Sequence, residues 1–343
     1  MTTPRSGCLN AALIVAVILL AMSVMLNLIL AVGSTDTMRG TLGTAELPKF
    51  EEELVVPSKE RDADKVAVIY LRGIITSMEP GAMGDTAVDD LKLQLRQAGD
   101  DARVKAVVLY VDSPGGEVTA SDTIYNAVRR FRDEKKKPVV VYMGSVAASG
   151  GYYVACGGSW LIANETTFTG SIGVIMSTLN YRHLFEKVGL DMVTIKSGEM
   201  KDMLSGSREM TPAEREYLQA LIMQTYGKFV GIVAKERGLP EQDLRNGLAD
   251  GRVISGKDAF DAKLVNQLGD VEVAYAKALE LAKIKDAAII RYESPFKLSR
   301  LLRFLGNTES KTGKTTVELD LRGSLLPKLE AGKLYYLPSI LAP

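Results

Sequence analysis

The stretch VVVYMGSVAASGGYYVACGGSWLIANETTFTGSIGVIM, residues 139–176, decides the reading of this chain. An apolar run of strand length, Val139–Met143, stops at Gly144. Small residues then lead to one serine, Ser149, and Gly150 and Gly151 follow at once. Such a strand-to-helix turn presents a hydroxyl with little around it. The same chain holds one histidine, His183, in 343 residues. So scarce an imidazole points a nucleophilic Ser149 toward some other base.

The flanks supply the fold. Val66–Leu71 and Val104–Val111 are further apolar runs of strand length, the first ended by Gly73 and the second by a turn at Asp112-Ser113-Pro114-Gly115-Gly116. Between the strands, Thr86–Ala98 and Ala120–Phe131 carry apolar residues at helical spacing. Alternating helices and fully apolar strands predict an α/β core with a parallel sheet covered on both faces. Downstream, Tyr152–Cys156 reads as a short helix, Trp160–Ala163 as a strand, Tyr181–Val188 as a helix and Met192–Ile195 as a strand. Thr211-Pro212-x-Glu214 has the cap, proline and glutamate of a helix start, and that helix runs to about Arg237 before Gly238. Lys257–Ala262 and Val271–Ala282 read as helices and Ala287–Arg291 as a last strand.

Composition excludes several classes. Lys plus Arg equals Asp plus Glu at 42 each, so no basic footprint for nucleic acid exists. Two distant cysteines, Cys8 and Cys156, and one histidine give neither a disulfide framework nor a zinc-site spacing. No metal or other cofactor is expected.

From Ala11 to Val32 every residue is apolar except Ser23 and Asn27. At 1.5 Å per residue this reaches about 33 Å, enough to cross a bilayer. The reading is one uncleaved transmembrane helix in residues 1–33, then a polar tether, 34–62, with the acidic cluster Glu51-Glu52-Glu53. Arg5 before the span places the N-terminus in the cytoplasm and the body outside it, on the plasma (inner) membrane. The main domain is expected over 63–290 and a C-terminal extension over 291–343. In that extension Phe296–Gly306 sets Lys297, Arg300 and Arg303 opposite a Leu/Phe stripe, a helix for packing or for a membrane surface. Gly332–Ala342, GKLYYLPSILA, is apolar enough to dock on the body or on another subunit.

The chemistry centres on one edge of the sheet. Adjacent parallel strands end on the same edge, where ligands bind. Glycines there, at Gly115-Gly116 and Gly150, let backbone N–H groups approach a developing oxyanion. Thr169-Gly170-Ser171-Ile172-Gly173 brings another hydroxyl after another strand. His183 lies among helical residues with Arg182 and Lys187 nearby and reads as a surface or packing histidine. A Ser-His-Asp arrangement would hang on this residue; the alternative base is a neutral lysine. An ordinary lysine must be lowered by about 3 pH units to work near neutrality, at a cost of about 4 kcal/mol met by burial or nearby charge. Composition alone does not choose the lysine.

MGSVAASGGYYVAC, TFTGSIGVI and IKSGEMKDMLSGSREMT, with DSPGGEV upstream and GRVISGKDAFDAKLVNQLG downstream, resemble the signal peptide peptidase A family in its short form. These are membrane-anchored serine proteases of the Clp-protease/crotonase-like fold group. The likeness covers about residues 65–285. It implies a ββα-superhelix core and a Ser/Lys dyad, with Ser149 as nucleophile and Lys201 of GEMKDM as general base. By the same resemblance, Ser171 orients the lysine, Gly116 and Gly150 offer oxyanion N–H groups, and Gly115 shapes their turn. Lys196 reads as structural. The implied activity is hydrolysis of remnant signal peptides and other membrane-derived hydrophobic peptides, by a homo-oligomeric ring or dome. Small apolar groups at Val146, Ala147, Ala148 and Ile172 would suit small or aliphatic side chains. Two other readings stay open at this point: a crotonase-like acyl-CoA hydratase or isomerase, and a non-catalytic scaffold binding hydrophobic peptides.

Overall fold

A computed structural model describes residues 17, 19–20, 22–25, 50–60, 62–77, 87–293 and 335–336. Contacts divide the chain into two units, Met1–Pro48 and Lys49–Pro343. In the first unit the described residues, 17, 19–20 and 22–25, are helical and exposed. No helix among the described residues is long and apolar enough to cross a membrane. Most of the span expected at 11–32 lies outside them.

The second unit is built in chain order from β1 (Glu51–Val56), β2 (Lys65–Ile75), α1 (Ala87–Asp100), β3 (Val104–Glu117), α2 (Val118–Glu134), β4 (Val139–Ala148) and α3 (Gly150–Ala155). There follow β5 (Trp160–Ala163), β6 (Phe168–Gly170), α4 (Arg182–Val188), a 3-10 turn (Glu199–Asp202), α5 (Pro212–Arg237) and α6 (Glu241–Asn246). β7 (Val253–Ser255), α7 (Gly256–Asp261), β8 (Gln267–Leu268), α8 (Val271–Ala282), β9 (Ala288–Glu293) and β10 (Tyr335–Tyr336) complete it.

The main sheet has the order β1-β9-β2-β3-β4-β5-β8. Every adjacent pair from β9 to β8 is parallel. The edge strand β1, which falls in the stretch read as a tether, pairs antiparallel with β9. Alternation along the central strands feeds two cores. Ala67, Ile69, Val107, Leu109 and Val141 face Leu91 and Leu95 of α1 and Ile124 and Val128 of α2. Val66, Val68, Ala106, Val108 and Val140 face Ala274 and Ala278 of α8. Both faces are dry, which is why these strands read as unbroken apolar runs. Each buried Val, Ile or Leu side chain adds about 1.5–3 kcal/mol relative to exposure.

Three local expectations change. β4 does not stop at Gly144 but runs to Ala148, directly before Ser149. The Asp112–Gly116 segment continues β3 instead of turning. Its register against β2 shifts there: Arg72 stands opposite Asp112 and Ile74 opposite Gly115, so β3 carries one extra residue across from Gly73, which sits at φ +71°. Met192–Ile195 is not a strand: no strand among the described residues pairs with it, and Val193 and Ile195 are 84% and 97% exposed.

Candidate active site

Ser149 stands between the end of β4 and the start of α3. Its backbone is at φ 52°, ψ −115°, a conformation L-residues avoid. Such a residue costs on the order of 1–3 kcal/mol and persists where its surroundings over-determine it. Here the Ser149 N–H donates to the Gly170 carbonyl at 2.8 Å, and the Ser149 carbonyl accepts from the Tyr153 N–H at 2.8 Å. The side chain is fully buried, and its Oγ has no hydrogen-bond partner among the described residues. A buried hydroxyl without a partner is costly and calls for a functional explanation.

The second hydroxyl lies on the neighbouring strand. β4 and β6 run parallel with Ala148 opposite Gly170, so Ser149 and Ser171 leave the sheet side by side. Ser171 is buried, at φ +50°, and its N–H donates to the Arg252 carbonyl at 2.7 Å. Thr169 fixes this ladder by donating its hydroxyl to the Ala147 carbonyl at 2.7 Å.

The glycines converge on the same edge. A Cβ at Gly150 would lie 2.6 Å from the Ser121 Oγ and 3.1 Å from both the Gly115 Cα and the Gly116 nitrogen. The two glycine segments therefore touch, and neither tolerates a side chain. At Gly116 a Cβ would meet the Ile75 carbonyl oxygen at 1.9 Å. The Gly150 N–H opens α3, where a helix has no internal acceptor for it. Gly115 differs from the other two. It has φ +106°, and its N–H donates to the Ser113 Oγ at 3.1 Å, so it sets the local bend of β3 and its N–H is already engaged.

Tyr335–Tyr336 adds a short antiparallel strand at this edge. Tyr335 stands opposite Glu117 and Tyr336 opposite Gly116. On its other side Tyr335 exchanges two backbone hydrogen bonds with Ile175, at 3.1 and 3.2 Å. The part of the tail that is described thus docks on its own body; the helix expected at Phe296–Gly306 lies outside the described residues.

Lys201 is in the 3-10 turn Glu199–Asp202 and is exposed. Its ammonium has no hydrogen-bond or ion-pair partner among the described residues. Within this chain Ser149 and Lys201 are not hydrogen-bonded to each other. His183 is exposed on α4 and pairs with Glu186 at 3.0 Å, as a surface histidine would.

Beside Lys201 is a polar cluster that the sequence reading missed. Arg208 grips both carboxylate oxygens of Asp202, from Nη2 at 2.7 Å and from Nε at 3.0 Å. It also donates to both oxygens of the buried Glu214, with the Nη1 bond at 2.9 Å. Lys196 donates to Asp202 at 2.7 Å. The Arg208 guanidinium, then Lys196, holds the Asp202 carboxyl well below the usual carboxylate range. Arg208 and the Thr211 N–H hold Glu214 at about 2. Only the Thr211/Glu214 capping box of this cluster carried a sequence signal; it is present as expected.

Residues 131–285 match the family model for peptidase family S49, and residues 58–162 match that for Clp protease. A protein of Synechocystis sp., provisionally named a protease, is 38% identical over 67% of this chain and 78% of its own length. The chain belongs to peptidase family S49.

The S49 match contains Ser149, Gly150, Ser171 and Lys201, and the Clp protease match contains Gly115 and Gly116 as well as Ser149. The parallel-dominated sheet fits the Clp-protease-like fold. An Enterococcus faecium protein provisionally named a signal peptide peptidase is 39% identical over 59% of this chain and 58% of its own length. A chloroplastic serine protease of Arabidopsis thaliana is 32% identical over 64% of this chain, which spans 33% of that longer protein.

Proposed function

We propose that this S49 chain is a membrane-anchored serine endopeptidase in which Ser149 is acylated and Lys201 is the general base. The observation that carries the reading is the Ser149 hydroxyl: buried, without a partner among the described residues, on a strained backbone, and beside the touching glycines Gly116 and Gly150. In the first step Lys201 takes the Oγ proton while Oγ bonds to the peptide carbonyl carbon. The Gly116 and Gly150 N–H groups receive the oxyanion. The C–N bond then breaks, and Lys201 returns the proton to the leaving amine. Water, losing its proton to Lys201, releases the acyl group from Ser149 by the same route. Ser171, leaving the sheet beside Ser149, orients the lysine.

Extended hydrophobic peptides, remnant signal peptides among them, are the substrate class this reading favours. Tyr335–Tyr336 illustrates how an extended segment fits between Gly116–Glu117 and Ile175. A cavity of about 190 Å³ is lined by Met176, the residue after Ile175, and by Leu204, Met210 and Leu218, with Arg215 and Gln219 also in its wall. Its lining suits an apolar side chain.

Assembly is the step that delivers Lys201 to a serine, its own or a neighbour's. Lys201 is exposed, and the segment before it displays Leu184, Val188, Leu190, Met192, Val193 and Ile195 to solvent. So much exposed apolar surface suits burial against further copies in a ring or dome. The apolar stretch at 11–32, exposed and helical at its described positions, is proposed to anchor the N-terminus with the body outside the cytoplasm.

The test is hydrolysis of a fluorogenic apolar peptide by the full chain. Ser149→Ala and Lys201→Ala should each abolish turnover with the melting temperature retained, whereas His183→Ala should turn over normally. An active Lys201→Ala with an inactive His183→Ala would sink the dyad.

A further inference from the structure

We propose that Arg208 is a positioning residue for Lys201, acting through Asp202, and this rests on the reading of Lys201 as the base. The turn that carries Lys201 has four residues, and none is buried. Apolar packing therefore does not fix it. What fixes it is polar. The Arg208 guanidinium holds the Asp202 carboxylate with two bonds and takes the Asp202 carbonyl as well, at 3.2 Å from Nη2. Lys196 closes the turn from the other end, donating to the Glu199 carbonyl at 3.0 Å and to Asp202.

The far side of the guanidinium is anchored firmly. Glu214 is 2% exposed and lies in the first turn of α5. Its carboxylate also accepts from the Thr211 N–H at 2.8 Å, and its own N–H donates to the Thr211 hydroxyl at 3.2 Å. α5 in turn buries Phe229, Val230 and Val233 in the main core. A continuous path thus runs from the core through α5, Glu214, Arg208 and Asp202 to the residue next to Lys201. Only a planar guanidinium can grip two carboxylates in this two-sided way; an ammonium offers a single point. A base on a flexible four-carbon stem gains most from such a fixed origin, since small misplacements at a reacting group cost large factors in rate.

The test compares Arg208→Ala, Arg208→Lys and Asp202→Asn in the full chain, with Lys201→Ala as reference and melting temperature as control. A positioning role predicts that Arg208→Ala lowers kcat by roughly 10- to 100-fold with KM within about threefold. Arg208→Lys falls between, and added guanidinium ion restores part of kcat to Arg208→Ala but none to Lys201→Ala. If Arg208→Ala loses thermal stability, Asp202→Asn decides, because it leaves the Arg208–Glu214 pair in place: lowered kcat supports the role, and unchanged kcat overturns it. Unchanged kcat in folded Arg208→Ala, or a loss that guanidinium does not rescue, overturns it too. An active Lys201→Ala would remove the base reading, and this proposal with it. An inactive Lys201→Ala beside fully active clamp variants would remove the clamp alone.

Discussion

Tyr335 and Ile175 are joined by two reciprocal backbone hydrogen bonds, Tyr335 N–H to Ile175 at 3.1 Å and Ile175 N–H to Tyr335 at 3.2 Å. With Glu117 on the other side, Tyr335 lies between two backbone segments at the edge where Gly116 meets Gly150. On the proposed reading, a peptide substrate competes with it for that place. Tyr335→Pro removes the N–H that Ile175 accepts. It should raise kcat/KM for a short apolar peptide severalfold. Unaltered or lowered kcat/KM would show that the strand does not compete with substrate.

The glycine contacts predict a graded pair of variants. Gly150→Ala puts a methyl 2.6 Å from the Ser121 Oγ and 3.1 Å from the Gly116 nitrogen. Overpacking of this kind costs about 1–3 kcal/mol, and loss of an oxyanion donor costs about 10²–10³ in kcat. Gly116→Ala should be worse for folding, since its methyl would fall 1.9 Å from a backbone oxygen that cannot swing aside. Urea unfolding and peptide hydrolysis check the order; a Gly150→Ala enzyme with normal kcat would remove Gly150 from the oxyanion site.

The ion cluster sets a pH dependence. Arg208 lowers both carboxyls, Asp202 and Glu214, the latter to about 2. Depressed carboxyls stabilise the fold above their unfolded values, and that contribution is lost as pH falls through the folded ones. The melting-temperature gap between wild type and Arg208→Ala should therefore be constant above about pH 5 and narrow between about pH 4.5 and 2. A gap that widens on acidification would contradict the assignment.

Exposed Lys201 and buried Ser149 invite a mixing experiment. If assembly places the lysine of one copy on the serine of another, co-expressing Ser149→Ala with Lys201→Ala chains should restore a fraction of wild-type turnover. Mixed assemblies that form but stay inactive would place both residues of each dyad on one copy.

Much of the core was legible because burial on both faces leaves an unambiguous mark. Val66–Leu71, Val104–Val111 and Val139–Met143 were all recognisable as strands, and Thr211-Pro212-x-Glu214 marked the helix that the cap does begin. Glycines were the ambiguous signals. Gly73 and Gly144 looked like strand ends, yet the strands pass through them, because a glycine can serve a bulge as well as a stop. Met192–Ile195 has strand composition but no partner strand among the described residues. At the site, the strained turn at Ser149 and its glycine neighbours had a local signature. Arg208 did not: its role depends on Asp202 and Glu214, each six residues away on separate elements, and no periodicity encodes that meeting.

The central claim is that Ser149 is a nucleophile served by Lys201. Its most direct test is covalent labelling of the full chain with a fluorophosphonate, followed by mass-spectrometric mapping of the modified peptide. The adduct is predicted on Ser149, absent in Lys201→Ala and retained in His183→Ala. An adduct on another serine of the active protein, or labelling that survives Lys201→Ala and fails in His183→Ala, would contradict it.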